Sequence, residues 1–324
     1  MKSALYLLTF AALSLSVGNA VAQTSWDLPS AYPAQLFHTQ NAQFFADEVA
    51  KRSSGKLKIT IHPGASLYKA NEIKRAVQTG QVQIGEILLS GASNENPMFG
   101  VDSIPFLADN YEKAAKLAKV TRPKLEEILA SQGMKLLYTV PWQGQSLYSK
   151  TPIASVADLK GTKMRAYNPA TSRIAQLVSA QPTTIQLAEM GQALATGMVD
   201  NLLNSSAGGV DAKFFEHLKY LYTVNAWLPK NVVLVSQKAF DALDAETQKA
   251  VLEAAAAAEE RGWRVSSEKD AEHLKTLSEK GMTIAPPSPE LAAGLKAVGD
   301  KMVAEWIASA GPAGEAIIAE YRKN

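Results

Sequence analysis

Asp158-Leu-Lys-Gly-Thr-Lys-Met-Arg-Ala-Tyr-Asn168 is the stretch from which the fold and the role of this chain are read. Lys163 to Tyr167 reads as a short strand, and Pro169 opens a helix directly behind it. Arg165 sits at the end of that strand. Its guanidinium offers a planar fork of donors that can hold a carboxylate by two parallel hydrogen bonds. The alternative is an exposed arginine at a strand edge, where a surface charge contributes little. The surrounding sequence decides between the two.

Strand-like and helix-like segments alternate on both sides of this stretch, which is the pattern of an α/β fold. Upstream, Gln35 to Ser53 has helical spacing with Phe44, Phe45 and Val49 on one face, and Leu57 to Ile61 alternates as a strand ending at Pro63-Gly64. Lys69 to Gln78 reads as a helix stopped by Gly80, and Val82 to Leu89 as a buried strand. Ala108 to Gln132 reads as helical, with a break expected near Pro123. Met134 to Val140 is the next strand. Downstream, Ala170 to Ser179 and Ala188 to Thr196 read as helices. Val199 to Leu203, Tyr220 to Val224 and Val232 to Ser236 read as strands. Asp244 opens a helix running to Glu279, with the run Ala254 to Ala258 supplying propensity. At about 1.5 Å per residue it is longer than one small domain and should run along two. Pro286-Pro287-Ser-Pro289 separates it from the last helices.

The chain has 324 residues, enough for about two domains. Lys2, the apolar run Ala4 to Val17 and the small residues of Ala20-Val21-Ala22 make residues 1–22 an expected export signal cleaved after Ala22. The run is shorter than the about 20 apolar residues of a membrane span. No later segment is apolar enough to cross a bilayer, so the protein is not expected to be membrane-embedded. There is no cysteine, so thiol chemistry, disulfides and a lipid-bearing cysteine are excluded. The expected location is the periplasm. Once Lys2 is removed with the leader, 32 basic face 31 acidic residues, which argues against a nucleic-acid partner. No glycine-rich phosphate loop follows a strand, and no histidine has a metal-ligand partner at helical spacing, so neither a cofactor nor a metal is expected.

Several segments occur here in a specific order. They are Phe44-Phe-Ala-Asp-Glu-Val49 running into Ser54-Gly55-Lys-Leu-Lys-Ile59, then Pro63-Gly-Ala-Ser-Leu67, then Glu72 with Val77-Gln-Thr-Gly80. Ile104-Pro-Phe-Leu107, Leu159-Lys-Gly-Thr-Lys-Met-Arg165 and Ala193-Leu-Ala-Thr-Gly-Met-Val-Asp200 follow. In this the mature chain resembles the solute-binding proteins of tripartite ATP-independent periplasmic (TRAP) transporters, of the dicarboxylate-binding (DctP-like) type. The resemblance implies a two-lobed periplasmic binding protein fold with a ligand cleft between the lobes. Residues 23–145 plus 233–280 would form one lobe and 146–232 plus 281–324 the other, with the long helix, about 244–280, spanning both. It further implies a monomeric receptor that closes on a small organic acid and docks on membrane permease subunits.

The resemblance places Arg165 on the ligand carboxylate and Asn204, four residues past the Val199-Asp200 pair, beside it. Two departures bear on the ligand. The usual Val-Asp-Gly-x-Glu-Asn is here Val199-Asp-Asn-Leu-Leu-Asn204, and a second arginine of a Gly-x-Arg element is Ser146. One carboxylate is therefore expected rather than two. Trp142 and Trp227 lie where the family's chain crosses between lobes, as ligand walls or as packing at the joint. Tyr32, Phe37 and His38 lie in a region that lines the family's cleft. Tyr167, two after Arg165, shares its strand face. Glu86 is an acid in an apolar strand and must be paired or neutral if buried, either as a ligand acceptor or as a partner of a nearby donor. Asn225, like Asn168, sits near a crossing, and Asp200 reads as structural. The expected ligand is a 2-oxo or 2-hydroxy acid, with or without an aromatic ring, and a hydroxylated sugar acid is the alternative. A periplasmic sensor would use the same cleft. A hydrolase is the weakest reading, because no Gly-x-Ser-x-Gly elbow surrounds any serine.

Overall fold

The computed structural model describes residues 23–323, and the leader expected over residues 1–22 lies outside them. The chain opens with β1 (Thr24–Pro29), α1 (Phe37–Arg52) and β2 (Leu57–His62), then α2 (Ala70–Gln78), β3 (Ile84–Leu88), α3 (Tyr111–Ser131) and β4 (Met134–Pro141). β5 (Ser146–Ser149), β6 (Lys163–Ala166), α4 (Pro169–Leu177), β7 (Gln181–Thr184), α5 (Met190–Ala195), β8 (Asn201–Asn204), α6 (Ser206–Asp211) and β9 (Tyr220–Tyr222) follow. The last elements are β10 (Lys230–Ser236), α7 (Gln237–Asp241), α8 (Ala245–Glu279), β11 (Thr283–Ala285) and α9 (Pro289–Lys323), the last broken at Gly311 where φ is +61°.

Two sheets organise these elements into a two-lobed α/β molecule. In one, β10 runs antiparallel between β3 and β4, and the parallel pair β1 and β2 lies against it through β1. β10 is buried along its whole length, which is why Val232 to Val235 reads as an unbroken apolar run rather than an alternation. The second sheet has the order β11-β9-β5-β8-β6-β7. Besides the passage along α8 from β10 to β11, two crossings join the sheets, after β4 and before β10. The crossings lie side by side: Trp142 N–H donates to Pro229 C=O at 2.8 Å, and Gln145 and Ala226–Trp227 exchange two bonds of 2.9 Å.

The long helix α8 is capped by Asp244, whose carboxylate accepts from Thr247 N–H at 2.8 Å. It packs on α1 and β4 of the first sheet's layer and on α6 and β11 of the second's, so it braces both. The approach to α1 and β4 is close at Gly262, where a Cβ would lie 2.4 Å from Val140 Cγ2 and 3.0 Å from Asn41 Nδ2. Asn41 in turn donates to Ala258 C=O at 2.9 Å and accepts from Arg261 at 2.8 Å, tying α1 to α8.

The expected break at Pro123 does not occur, and α3 continues through it. Pro123 and Lys119, whose carbonyl loses its partner, both lie on the solvent side. Water can satisfy that carbonyl, while the buried stripe Leu117, Thr121, Leu125 and Leu129 holds the helix together. The strand expected from Val199 begins two residues later, because Val199 is drawn into the core beside α5 instead of pairing. β7 was not legible: Gln181-Pro-Thr-Thr184 is polar, carries Pro182 and lies at a sheet edge.

The contact at Gly262 yields a stability prediction. Gly262→Val should force α8 away from Val140 and lower unfolding stability by about 1–3 kcal/mol, read by chemical denaturation. A variant as stable as the parent would mean that this contact does not constrain the helix.

Candidate functional site

The loops at the facing ends of the two sheets enclose a cleft of about 710 Å³. Arg165 reaches it because β6 alternates: Met164 and Ala166 point into the core, and Arg165 and Tyr167 to the other face. Gly161, at φ +76°, makes the turn that starts the strand, and Asp200 clamps it by accepting from Lys163 N–H at 2.9 Å. Asp200 thus serves the backbone.

Arg165 is 3% exposed and forms no ion pair with any described residue. Its Nε donates to Ile185 C=O at 2.9 Å, and its plane lies over the Tyr167 ring with 4.9 Å to the centroid. These contacts hold the fork still and leave its terminal amino groups without a protein partner. Burial without a counter-ion pushes the guanidinium down to about 10, still cationic at neutral pH. Asn204 borders the same cleft, packed against Gly208, where a Cβ would lie 2.9 Å from its Nδ2. Its Oδ1 accepts from Ser205 N–H at 2.9 Å, and the buried Nδ2 has no partner. A buried cation and a buried amide donor, both without a protein partner among the described residues, therefore belong to two residues lining one cleft. Such a pair has the chemistry to accept an anion.

Tyr32 and Trp142 wall the cleft from the first sheet's side, ring centroids 5.2 Å apart and edge to face. Both are tethered to Asn231 on β10, whose Oδ1 accepts from Trp142 Nε1 at 2.9 Å and from Tyr32 Oη at 3.2 Å. Asn231 Nδ2 donates to Glu86 Oε1 at 3.2 Å, and Ser30 Oγ donates to Glu86 Oε2 at 2.6 Å. Burial raises the Glu86 carboxyl above its usual range, against the pull of these two donors.

The other candidates lie behind or beside this cleft. Glu86 does not line it but anchors the tether. Phe37 packs edge-on and His38 tilted against Trp142, with ring centroids 5.8 and 4.2 Å from the indole, and neither lines the cleft. Trp227 is fully buried in the core with Pro105, Ile174, Leu203 and Leu295. Asn225 is folded at the crossing with φ +45°, accepting from Ser146 Oγ at 3.2 Å, and Gly144 leaves room for it. Ser146 is thus occupied there. Asn168 caps α4 and donates across to Ser90 Oγ at 2.9 Å, joining the two sheets.

Sequence reading missed Gln145, which borders the cleft, accepts from Tyr167 Oη at 3.0 Å and donates to Gln143 C=O at 3.1 Å. It also missed Asn231, the centre of the tether. Both are amides in apolar or turn-like stretches, and a polar residue at a fully buried strand position is the signal that flags such a network. Lys74, paired with Glu95, lies at the rim.

His38 gives a pH prediction. Both ring nitrogens are buried without hydrogen-bond partners, the nearest acid atom being Glu86 Oε1 at 3.6 Å from Nδ1, and burial pushes its pKa well below 6.5. The unfolded chain therefore binds a proton as pH falls through about 6.5 while the folded chain does not, and stability is lost on the acid side. The raised Glu86 carboxyl acts in the opposite sense and is common to parent and variant. His38→Leu should show a smaller fall in melting temperature between pH 7 and pH 5 than the parent; equal falls would contradict the burial of an uncharged imidazole.

The family description "Bacterial extracellular solute-binding protein, family 7" (DctP) matches residues 30–309. The chain is 51% identical, with a TM-score of 0.92, to DctP6, a Bordetella pertussis extracytoplasmic solute receptor binding pyroglutamic acid; the likeness covers 93% of this chain and 100% of that one. DctP7 of Bordetella pertussis, also binding pyroglutamic acid, is 44% identical over 93% and 100% of the two chains, with a TM-score of 0.92. A marine metagenome TRAP solute binding protein specific for pyroglutamate is 41% identical over 93% and 99%, again at 0.92. The chain belongs to family 7 of the bacterial extracellular solute-binding proteins, the receptors of TRAP transporters, and is a binding protein, not an enzyme.

Proposed function

We propose that this receptor captures pyroglutamate, or a cyclic monocarboxylate of its size, and delivers it to a TRAP permease in the membrane. The observation that carries the reading is the buried, unpaired guanidinium of Arg165 beside the unsatisfied Asn204 amide. Taking a carboxylate out of water costs several kcal/mol unless a fixed cation and further donors meet it. Here both are already in place. Tyr32, Trp142 and Tyr167 supply flat apolar surface for a small ring.

Three relatives between 41% and 51% identical, covering nearly the whole chain, bind pyroglutamate. A cyclic amide acid fits the single arginine as well as the 2-oxo or 2-hydroxy acid expected from sequence, and the relatives favour it. A sugar acid is favoured less, because Glu86, His38 and Asn225, the polar groups that would meet its hydroxyls, lie outside the cleft wall. Arg165 has no arginine companion on that wall among the described residues, and Ser146 is bonded to Asn225, in keeping with one carboxylate. We place the mature protein in the periplasm as a monomer, exported by its leader.

Calorimetric titration with pyroglutamate tests this. Arg165→Ala should lose about 2–5 kcal/mol of binding free energy, roughly 30- to 4,000-fold in Kd, while the ligand-free variant melts no lower than the ligand-free parent. Unchanged affinity in that variant would remove Arg165 from the site. A dicarboxylate binding more tightly than pyroglutamate would overturn the monocarboxylate reading.

A further inference from the structure

We propose that Tyr32 makes the cleft selective for a ligand that donates a hydrogen bond, reading the ring N–H of a lactam acid. This rests on the reading of the cleft as a pyroglutamate site.

The inference starts from Trp142, whose indole Nε1 can only donate. It lies 2.9 Å from one end of the Asn231 amide, so that end must be the oxygen. The orientation is reinforced from the other side, where Asn231 Nδ2 faces Glu86 Oε1 at 3.2 Å. Turning the amide over would set N–H against N–H at Trp142 and bring two oxygens together at Glu86. The Asn231 oxygen also lies 3.2 Å from Tyr32 Oη. It has no proton to give, so the contact exists only if Tyr32 donates. A phenol has a single proton, and that proton is now committed to Asn231.

Tyr32 therefore faces the cleft as an acceptor only. Burial, reinforced by the nearby Glu86 carboxyl, raises its pKa far out of the ordinary range and keeps the proton on the phenol. Tyr32 and Arg165 line the same cleft. The carboxylate-binding cation and this acceptor thus belong to one site. A lactam acid carries the matching pair: a carboxylate and, on the adjoining ring atom, an N–H. A lactone of the same shape presents ring-oxygen lone pairs where the N–H stood, and an acceptor facing an acceptor is left unsatisfied in a buried space.

The test compares pyroglutamate with the lactone analogue in which a ring oxygen replaces the N–H, each titrated calorimetrically into the unaltered protein and into Tyr32→Phe. Phenylalanine keeps the ring against Trp142 and leaves the Asn231 oxygen its indole donor, and the melting temperature of the variant checks its fold. The unaltered protein should prefer the lactam by about tenfold to a hundredfold. Tyr32→Phe should lose most of that preference by weakening the lactam and sparing the lactone. Equal binding of both compounds by the unaltered protein, or a preference that survives in the phenylalanine variant, overturns the inference while leaving the pyroglutamate reading standing. No pyroglutamate binding by the unaltered protein overturns both.

Discussion

A buried cation without an anion is the constraint around which this molecule is arranged. Arg165 is nearly inaccessible to water, stacked on Tyr167 and fixed through Nε to the Ile185 carbonyl, and nothing in the described chain neutralises it. The buried lysines are treated differently. Lys230, equally buried, pairs with Asp102 at 2.9 Å. In the function proposed above, the contrast separates a charge paired within the fold from one kept for a ligand, because an uncompensated buried ion costs several kcal/mol that a bound anion would offset.

The two sheets contribute to the cleft in different ways. The second supplies polarity through Arg165 and Asn204, each held by local geometry: strand alternation in one case and a glycine-backed turn into α6 in the other. The first supplies shape through Tyr32 and Trp142, held at a distance by Asn231 and Glu86. Rings locked in this way lose little conformational freedom when a ligand arrives. A ligand touching both sides adds to the ties already present, such as Asn168 to Ser90 and Gln35 to Asp211 at 2.8 Å. The paired crossings and α8 keep the two halves in one register.

The polar groups behind the wall show why a buried acid is ambiguous when met in sequence. Glu86 interrupts an apolar strand and could equally meet a ligand or a neighbour. In the structure it meets Ser30 and Asn231 and acts through the latter. Trp227 and Asn225 fall just short of the cleft for a similar reason. Both lie on the crossing before β10, where Pro229 lines the cleft while Trp227 turns into the core and Asn225, at φ +45°, turns to Ser146.

The alternating helix and strand pattern, the long α8 with its Asp244 cap, the strand carrying Arg165 and the absence of thiol chemistry were all legible in the sequence, because each follows from local periodicity or from residue chemistry. That Arg165 and Asn204 come to one cleft was legible because ordered motifs surround them. The edge strands, the unbroken passage of α3 through Pro123, and Gln145 and Asn231 were not. Their roles depend on which face meets water and on partners far away in the chain, such as Tyr32, which lies 199 residues from Asn231. Sequence alone determined that a cation is carried to a strand end. Only the tertiary structure decided that it stays unpaired and which aromatic rings and amide close around it, because desolvation and hydrogen-bond satisfaction are properties of the packed molecule and not of any segment.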